Sequence, residues 1–341
     1  MEKINILDCT LRDGGYENFW KFGFDNIQSI IRNLTETNVE YIEIGFLQND
    51  VKGQDYTIFD SCKSIKELCL SKTKKSKLAV MIKNGDYEIS SLEQNIGESI
   101  DLVRVSFHEY DMMEAINNIK IIKEKGYDVS CNPINVVGYS CDNLIKLLNE
   151  INEIKPKTFC IVDTFGILMP KKLQDILSII DNYLDDSICV GIHLHNNLMM
   201  AFSLAISFLD WNKMKYKCII DSCIGGIGRA PGNLQTELIM DFINEQYGEK
   251  YVINPIYEIM DNYLNTINEV ENIKKRMAYQ LSAKYMIHRN YSEFFMDRQG
   301  ISLSNLNKYL CVIEDDQKKV FNKEYAEVIR KKVLGYRFEN S

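Results

Sequence analysis

Short runs of branched apolar residues recur along the first 250 or so residues, and most are followed by a stretch whose apolar positions have helical spacing. Eight such runs are the right length for buried strands: Ile4–Leu7, Val39–Gly45, Lys77–Ile82, Asp101–Phe107, Tyr127–Asn132, Thr158–Asp163, Ile188–His195 and Lys217–Ser222. In the first intervening segment, Ile27, Ile30, Ile31 and Leu34 lie on one helical face. The pattern therefore predicts an α/β fold built from eight strand-helix units.

Eight such units in about 250 residues are typical of a TIM (β/α)8 barrel. An open, doubly wound sheet is the alternative, but it usually has fewer strands and often a glycine-rich phosphate turn after the first strand. The corresponding turn here is Leu11–Gly15, in which Arg12 and Asp13 provide charges instead of bare amides. We predict a catalytic barrel over residues 1–250.

The strand pattern stops after Gln246, and a different type of segment follows. Asn254 and Pro255 are expected at the N-cap and the first position of a new helix. The apolar face of this helix would contain Ile256, Ile259, Met260, Tyr263, Leu264 and Ile267. Two later stretches, Met277–Phe295 and Lys318–Arg337, also indicate helices. We predict a helical C-terminal region over residues 251–341, which could form a homodimer interface.

The composition is that of a globular protein, with 45% hydrophobic and 26% charged residues. The net charge of −8 and the scattered basic residues argue against a nucleic-acid partner. Neither a membrane span nor a signal peptide is recognisable, so we expect a cytoplasmic protein. The 10 cysteines include no C-x-x-C pair and are interpreted as reduced, with Cys9 and Cys223 as the candidates for a reactive thiol.

Barrel enzymes place their catalytic residues at the carboxyl ends of the strands. Polar residues that follow strands here are Arg12, Asp13, His108, Glu109, Asp163, Thr164, His193, His195, Asp221, Ser222 and Asn233. His193 and His195 are two residues apart on a strand, so both imidazoles point to the same face. On its own this pair could be two ordinary hydrogen-bonded histidines. With Asp13 on the first strand, it suggests a site for a divalent metal such as Mn, Mg, Co or Zn.

Four motifs occur in a specific order along the chain. They are Leu7-Asp8-Cys9-Thr10-Leu11-Arg12-Asp13-Gly14, Asp163-Thr164-Phe165-Gly166 with Pro170, His193-Leu194-His195-Asn196-Asn197, and Gly225-Gly226-Ile227-Gly228-Arg229-Ala230-Pro231-Gly232-Asn233-Leu234-Gln235-Thr236-Glu237. From residue 4 to about residue 245, the chain resembles the DRE-TIM metallolyase superfamily. Gly14-Gly15, with no Glu-Gln pair, is most similar to the branch of the 4-hydroxy-2-oxovalerate aldolases.

The resemblance implies a role for each matching residue. The implied metal ligands are Asp13, His193, His195 and Asn233, the last of which ligates the metal or lies beside it in the lyase relatives. Manganese is the first candidate for the metal, with magnesium, cobalt and zinc left open. Arg12 would stabilise the developing oxyanion. Thr164 would contact the small acid, and Asp163 would either orient the histidines or Arg12 at the substrate site or cap the following helix.

One position departs from the aldolase pattern. These aldolases have a histidine three residues after the metal-binding aspartate, proposed as the acid-base group on the substrate hydroxyl, whereas this chain has Tyr16. A phenol ordinarily has a pKa near 10 and an imidazole near 6.5, so a tyrosine is the poorer base at neutral pH. Tyr16 could act as a hydrogen-bond donor, and either His108 or a metal-bound hydroxide could be the base. His108 could equally be a hydrogen-bonding residue at the barrel mouth.

These observations lead to three hypotheses about function. The first is a metal-dependent aldolase that acts on a pyruvate-type 2-oxo acid and an aldehyde through an enolate. The second is a Claisen-type acyltransferase, although such enzymes have Glu-Gln where this chain has Gly15-Tyr16. The third is a barrel that only binds a metal and a ligand, against which Arg12 argues because binding alone needs no oxyanion stabiliser.

Overall fold

The computed structural model describes residues 3–50, 52–69, 76–213, 215–229, 232–267, 270–288, 290–296 and 301–335. The chain divides into two compact units, Met1–Val252 and Ile253–Ser341. Ala230, Pro231 and Arg337, which belong to predicted segments, lie outside the described residues. Within the described part of the chain, no helix is both long enough and apolar enough to cross a membrane.

The first unit contains a closed parallel barrel. Its strands are β1 (Ile4–Asp8), β2 (Tyr41–Leu47), β4 (Lys77–Lys83), β5 (Leu102–Phe107), β6 (Asp128–Pro133), β7 (Thr158–Asp163), β8 (Cys189–Leu194) and β9 (Cys218–Ser222), and the short strand β3 (Ile58–Phe59) pairs with β2. The pairing of β1 with both β2 and β9 closes the sheet. The predicted TIM barrel is therefore confirmed, and each predicted strand overlaps an observed one. The two-residue strand β3 was not predicted.

The helices of the first unit lie between these strands. They are α1 (Thr10–Asp13), α2 (Phe24–Glu36), α3 (Cys62–Cys69), α4 (Met112–Glu124), α5 (Cys141–Ile154), α6 (Pro170–Tyr183), α7 (Ala201–Asn212) and α8 (Thr236–Tyr247). The predicted face of α2, including Ile27, Ile30 and Leu34, is completely buried. Ser140 begins α5 because its side chain accepts a hydrogen bond from the backbone N–H of Asn143. These helices and strands bury the apolar stripes seen in the sequence.

The second unit is helical, as predicted. Its helices are α9 (Asn254–Asn262), α10 (Val270–Lys284), α11 (Asn290–Met296), α12 (Leu303–Leu310) and α13 (Lys323–Gly335). The predicted N-cap at Asn254 is wrong by one residue, because Ile253 takes the cap position and the Asn254 side chain donates to Glu258 Oε1 instead. The helix predicted from Lys318 starts only at Lys323, since the carbonyl of Lys318 bonds to the N–H of His288.

Candidate active site

The turn after β1 places Arg12 and Asp13 at the carboxyl end of the barrel. The chain enters the short helix α1 there, and both side chains are almost completely buried. Trp20 lies over the turn and donates from Nε1 to the carbonyl of Arg12 at 2.8 Å. A Cβ atom at Gly15 would lie only 2.1 Å from the Trp20 ring, so the second glycine is needed for this packing.

The four predicted metal ligands lie at the same end of the barrel. Among the described residues, only Asp13 and His193 of the four belong to a cluster whose ligand atoms are all within 4.8 Å of one another, and His195 lies outside it. His193 Nε2 is 3.2 Å from Asp13 Oδ2, and the centroids of the His193 and His195 rings are 5.1 Å apart. A backbone bridge pairs His195 with Asn233. The amide Nδ2 of Asn233 donates to the carbonyl of Ile227 at 3.1 Å, while its buried Oδ1 has no hydrogen-bond partner among the described residues. An unpaired buried oxygen beside a carboxylate and two imidazoles suits a divalent cation.

The protonation of the two histidines also fits a cation site. Burial alone would lower the pKa of His193, but hydrogen bonds with Asp13 and Asp221 hold it well above its usual range. Burial, with the charge of His193, lowers the pKa of His195 to about 4, which keeps its imidazole neutral. Metal ligands must give up their protons, so a cation would replace the proton shared by His193 and Asp13.

A cysteine also lies at this site, which the sequence analysis did not include among the ligands. The ligand atoms of Cys9, Asp13 and His193 are all within 4.8 Å of one another. The Cys9 thiol is in contact with other groups, since Sγ donates to the carbonyl of Ser222 at 3.2 Å and is 3.4 Å from Cys223 Sγ. Because Cys9 directly follows β1 and Cys223 directly follows β9, the pairing of these strands explains why the thiols meet.

Arg12 is fixed by two carboxylates. Its Nε donates to Glu43 Oε2 at 2.8 Å, and its Nη1 is 3.2 Å from Asp13 Oδ2. Its guanidinium also lies 5.7 Å from the centroid of the Phe46 ring. Glu43 was missed by the sequence analysis, although an acid flanked by isoleucines in a buried strand is a recognisable signal. A guanidinium held in this way is oriented before substrate arrives.

A second buried arginine completes a ring of charges beneath the cavity. Arg104 Nη1 is 3.1 Å from Glu43 Oε2, and its Nη2 donates to Asp221. His193 Nδ1 is 3.0 Å from the same Asp221 carboxylate. The ring therefore runs through Arg12, Glu43, Arg104, Asp221, His193 and Asp13 and back to Arg12. We call it the charge ring; each member has a partner of opposite charge, as a buried charge requires.

A cavity of about 430 Å³ opens above the charge ring, and four of the predicted catalytic or substrate-binding residues line it: Arg12, Tyr16, His108 and Thr164. The Thr164 hydroxyl accepts a hydrogen bond from the backbone N–H of Asn135 at 2.7 Å. The Arg229 guanidinium lies 5.5 Å from the centroid of the Tyr16 ring. The volume lies within the range of small-molecule sites.

The expected role of Asp163 at the substrate needs correction. Its Oδ1 accepts a hydrogen bond from the N–H of Ile167 at 3.0 Å, and its Oδ2 accepts one from Leu168 at 3.2 Å. The carboxylate therefore holds the loop before α6, and it does not cap that helix either, since α6 has Met169 at its N-cap and no side-chain cap bond. Asp221, rather than Asp163, makes the hydrogen bond to His193.

The glycine-rich loop after β9 brings Asn233 towards Asp13. Gly228 has a φ of +141°, and a Cβ atom there would lie 2.2 Å from Asn233 Nδ2 and 3.3 Å from Asp13 Oδ1. The next residue, Arg229, has its backbone N–H 3.5 Å from Asp13 Oδ1. Glycine at position 228 thus leaves room for two candidate ligands.

Comparison with known proteins agrees with this geometry. The chain is 24% identical to the 4-hydroxy-2-oxovalerate aldolase of Bacillus cereus over 76% of this chain and 74% of that protein. It is 23% identical to the oxaloacetate decarboxylase of Mycobacterium tuberculosis over 69% and 68%, respectively. The N-terminal domain of a proposed aldolase from Bacteroides vulgatus superposes with a TM-score of 0.63 at 25% identity, covering 86% of this chain and 97% of that one.

A family match confirms the resemblance to the DRE-TIM metallolyases. The HMGL-like family matches residues 3–261, a range that includes the whole barrel and every member of the charge ring. The chain belongs to the HMGL-like family.

Proposed function

We propose that the protein is a divalent-metal-dependent aldolase, which makes or cleaves the bond between a pyruvate-type 2-oxo acid and an aldehyde. Carbon-carbon lyases are found among its relatives. The observation that supports the proposal most directly is the charge ring, in which Arg12 and Asp13 face His193. A cavity large enough for two small substrates lies above this ring.

Asp13, His193 and His195 would hold the divalent cation, with Asn233 Oδ1 as a further oxygen donor. Manganese is our first choice, and magnesium, cobalt and zinc suit the same donors. When bound, such a cation polarises the keto group of a 2-oxo acid. The buried Asp221 would hold the His193 ring in place, as outer partners of metal-binding histidines commonly do.

The other side chains would orient the acid and stabilise its charge. The Arg12 guanidinium is fixed by Glu43 and Asp13, so it can donate to an enolate oxygen without reorganising. The Thr164 oxygen already accepts a hydrogen bond from Asn135, which leaves its O–H to donate to the carboxylate of the acid. We assign the proton transfer on the aldehyde side to His108, with Tyr16 as a hydrogen-bond donor at the same mouth.

Deuterium exchange into the methyl group of pyruvate tests enolate formation without knowledge of the aldehyde. We expect NMR to show exchange in D2O that requires metal, is abolished by EDTA, and is lost in Asp13→Asn. Two histidine variants provide a matched comparison. His193→Gln should lose the exchange, whereas His288→Gln, in the second unit, should keep it. Absence of metal-dependent exchange with Mn, Mg, Co and Zn, for both pyruvate and 2-oxobutyrate, would contradict the proposal.

A second candidate is the decarboxylation of a 2-oxo diacid, which the presence of Tyr16 favours. Cleavage of a 4-hydroxy-2-oxo acid requires a base to take the hydroxyl proton, whereas a diacid such as oxaloacetate loses CO2 from a carboxylate that is already ionised. Both reactions give the same enolate. Comparing the rates of pyruvate release from 4-hydroxy-2-oxovalerate and from oxaloacetate separates them, and a rate at least tenfold higher with oxaloacetate would favour the decarboxylase.

The acyltransferase and non-catalytic hypotheses have direct tests of their own. Thiol release from acetyl-CoA in the presence of 2-oxo acids would indicate the acyltransferase. Metal binding without exchange or turnover would indicate the non-catalytic barrel. A homodimer formed through the C-terminal region stays a prediction, which light scattering of the purified protein would test.

A further inference from the structure

The cavity has a second polar wall, which faces the histidines. In the closed eight-stranded barrel, β4 lies four strands from β8, on the opposite side. The strand register places Lys83 of β4 beside Ser106 of β5, and Ser106 beside Asn132 of β6. All three line the cavity. We call these three residues the polar row.

The polar row offers an ammonium and a hydroxyl to an oxyanion, while the Asn132 amide is held by Ser130 and Arg104. The Lys83 ammonium is 3.6 Å from Asp86 Oδ1, and both side chains are exposed to solvent (48% and 37%). A pair of this kind contributes little and is easily displaced. Among the residues that the structure describes, the Ser106 hydroxyl makes one long contact, of 3.5 Å, to the carbonyl of Ile82. Two donors of the row are thus weakly held.

A buried cation lies one layer below the row. Arg104 and Ser106 are two residues apart on β5, so they face the same side, and Arg104 also lines the cavity. Its Nη2 donates to the Asn132 amide oxygen at 2.9 Å when that amide is oriented to satisfy its neighbours. Its Nε is buried and has no acceptor within the part of the chain that the structure describes. The Arg104 side chain directly below the polar row therefore has a donor, Nε, that no described residue uses.

The charges around the cavity are unequal. Among the described residues that line it, the cations are Arg12, Lys83, Arg104 and Arg229, and the carboxylate is Asp13. Glu43 and Asp221 balance the two buried arginines from below. Lys83 is the exposed cation of the wall opposite the histidines, and an acid bound beside Arg12 and Asp13 would leave it with only its exposed pair with Asp86.

We propose that the polar row binds a carboxylate or phosphate group on the aldehyde, so that the natural aldehyde is anionic. This inference rests on the proposed aldolase function. The 2-oxo acid occupies the Arg12 side, and Met81 and Ile134 of the lining pack against the carbon chain of the aldehyde. In the synthetic direction, the methyl carbon of the acid loses a proton to the base and bonds to the aldehyde carbon. The aldehyde oxygen takes up one proton, giving a 4-hydroxy-2-oxo acid.

Matched aldehydes and matched lysine variants test this inference. With pyruvate and metal, kcat/KM is measured for succinic semialdehyde against butanal, and for glyceraldehyde 3-phosphate against glyceraldehyde. The two pairs distinguish a carboxylate from a phosphate. We expect kcat/KM for one anionic aldehyde to be at least tenfold higher than for its neutral partner. Lys83→Met should reduce this ratio of kcat/KM values about tenfold to a hundredfold, as expected for the loss of a charge-assisted hydrogen bond. Lys83→Arg should retain most of the ratio.

The control variant is Lys77→Met, at the amino end of β4 and far from the cavity lining, whose exposed ammonium pairs with Asp128. It should leave the ratio unchanged. Equal ratios for the wild type and Lys83→Met, or a preference for the neutral aldehydes, would overturn the inference even where pyruvate exchange is normal. If exchange is absent, the proposed function fails first.

Calorimetry then tests the row independently of activity. Metal-loaded protein is titrated with succinic semialdehyde and with glyceraldehyde 3-phosphate, in the absence of pyruvate. Binding of either anion that weakens at least tenfold in Lys83→Met, but not in Lys77→Met, supports the polar row as an oxyanion site. Binding that is equal in the three proteins, or that is undetectable in all of them, contradicts it.

Discussion

The two walls of the cavity differ in how their charges are held. On the metal side, formed by β1, β8 and β9, Asp13, His193 and Asp221 are buried and lie within about 3 Å of a partner of opposite charge. On the opposite wall, Lys83 is half exposed and its partner Asp86 is 3.6 Å away. The comparison suggests that the chemistry depends on a fixed arrangement, while recognition of the second substrate depends on groups that are free to reorganise.

The physical reason for the difference is desolvation. A charge in the charge ring has lost its water and depends on its partner, so removal of one member leaves another unpaired. An exposed pair keeps its water and loses little when it is broken. Substitutions on the metal side should therefore affect both stability and activity, and those on the opposite wall should affect selectivity.

The largest effect is expected for Asp221→Asn, compared with Asp86→Asn on the opposite wall. Loss of the buried carboxylate leaves Arg104 and His193 without their shared partner, which typically destabilises a protein by about 3 to 5 kcal/mol. The exposed change should stay within about 0.5 kcal/mol. Denaturant unfolding measures both. Similar values for the two variants would remove the distinction between the walls.

Arg12→Lys tests whether orientation, and not charge alone, matters on the metal side. Lysine keeps the charge but cannot reproduce the contacts of Arg12 with both Glu43 and Asp13. We expect turnover to fall about a hundredfold to a thousandfold, with Mn affinity changed much less. Arg330→Lys, in the second unit, is the control. A loss of turnover below tenfold would show that the fixed guanidinium is not required.

Substitution of Glu237 tests whether the metal side also contains a buried acid that destabilises the fold when it is ionised. Burial raises the pKa of Glu237 to about 7, against about 4.3 for an unfolded glutamate. The folded state binds this proton more tightly than the unfolded state does. The stabilisation that the bound proton gives the fold is therefore fully present below about pH 4.3 and is lost as the pH rises through about 7. The shift corresponds to about 4 kcal/mol across this range.

Glu237→Gln should therefore be more stable than the wild type at pH 8, and the difference should shrink towards pH 5. Glutamine can still accept the hydrogen bond that Gly225 donates to this side chain. Thermal unfolding at both pH values measures the effect. Glu114→Gln, at an exposed position of α4, is the control variant. A difference that is the same at both pH values for Glu237→Gln would contradict the assignment.

The smallest effect is expected for Thr164→Val, between the two walls. The substitution removes the O–H that we expect to donate to the 2-oxo acid, so KM for that acid should rise about tenfold. The KM for the aldehyde should change little. Steady-state kinetics with each substrate varied in turn give the two KM values separately. An equal rise in both KM values would indicate that Thr164 maintains the loop through Asn135 instead.

Much of the fold was predictable because its signals are local. The spacing of Ile27, Ile30 and Leu34 shows the buried face of α2, and the alternation of strands and helices shows the barrel. The N-cap was predicted at the wrong residue because the Asn254 side chain donates a hydrogen bond to Glu258, one turn further along, instead of capping the helix. The start of α13 depended on a hydrogen bond between Lys318 and His288, which are 30 residues apart in sequence, and spacing along the chain does not reveal such a contact.

The candidate site was predictable only in part. Arg12, Asp13, His193 and His195 were found because they follow predicted strands and also occur in motifs of known order. Glu43 and Arg104 were missed, since each is a lone charge within an apolar strand and acquires its role only when the barrel closes. Asp163 is an acid at the end of a strand, and only the structure shows that backbone N–H groups of the following loop donate hydrogen bonds to its carboxylate.

Anomalous diffraction at the manganese edge, from crystals soaked with Mn²⁺ and pyruvate, tests the central claim most directly. The account predicts a manganese peak in contact with Asp13, His193 and His195, with pyruvate on the Arg12 side of the cavity and the polar row free for the second substrate. A manganese peak elsewhere, or pyruvate bound at Lys83 with no metal between Asp13 and the histidines, would contradict it.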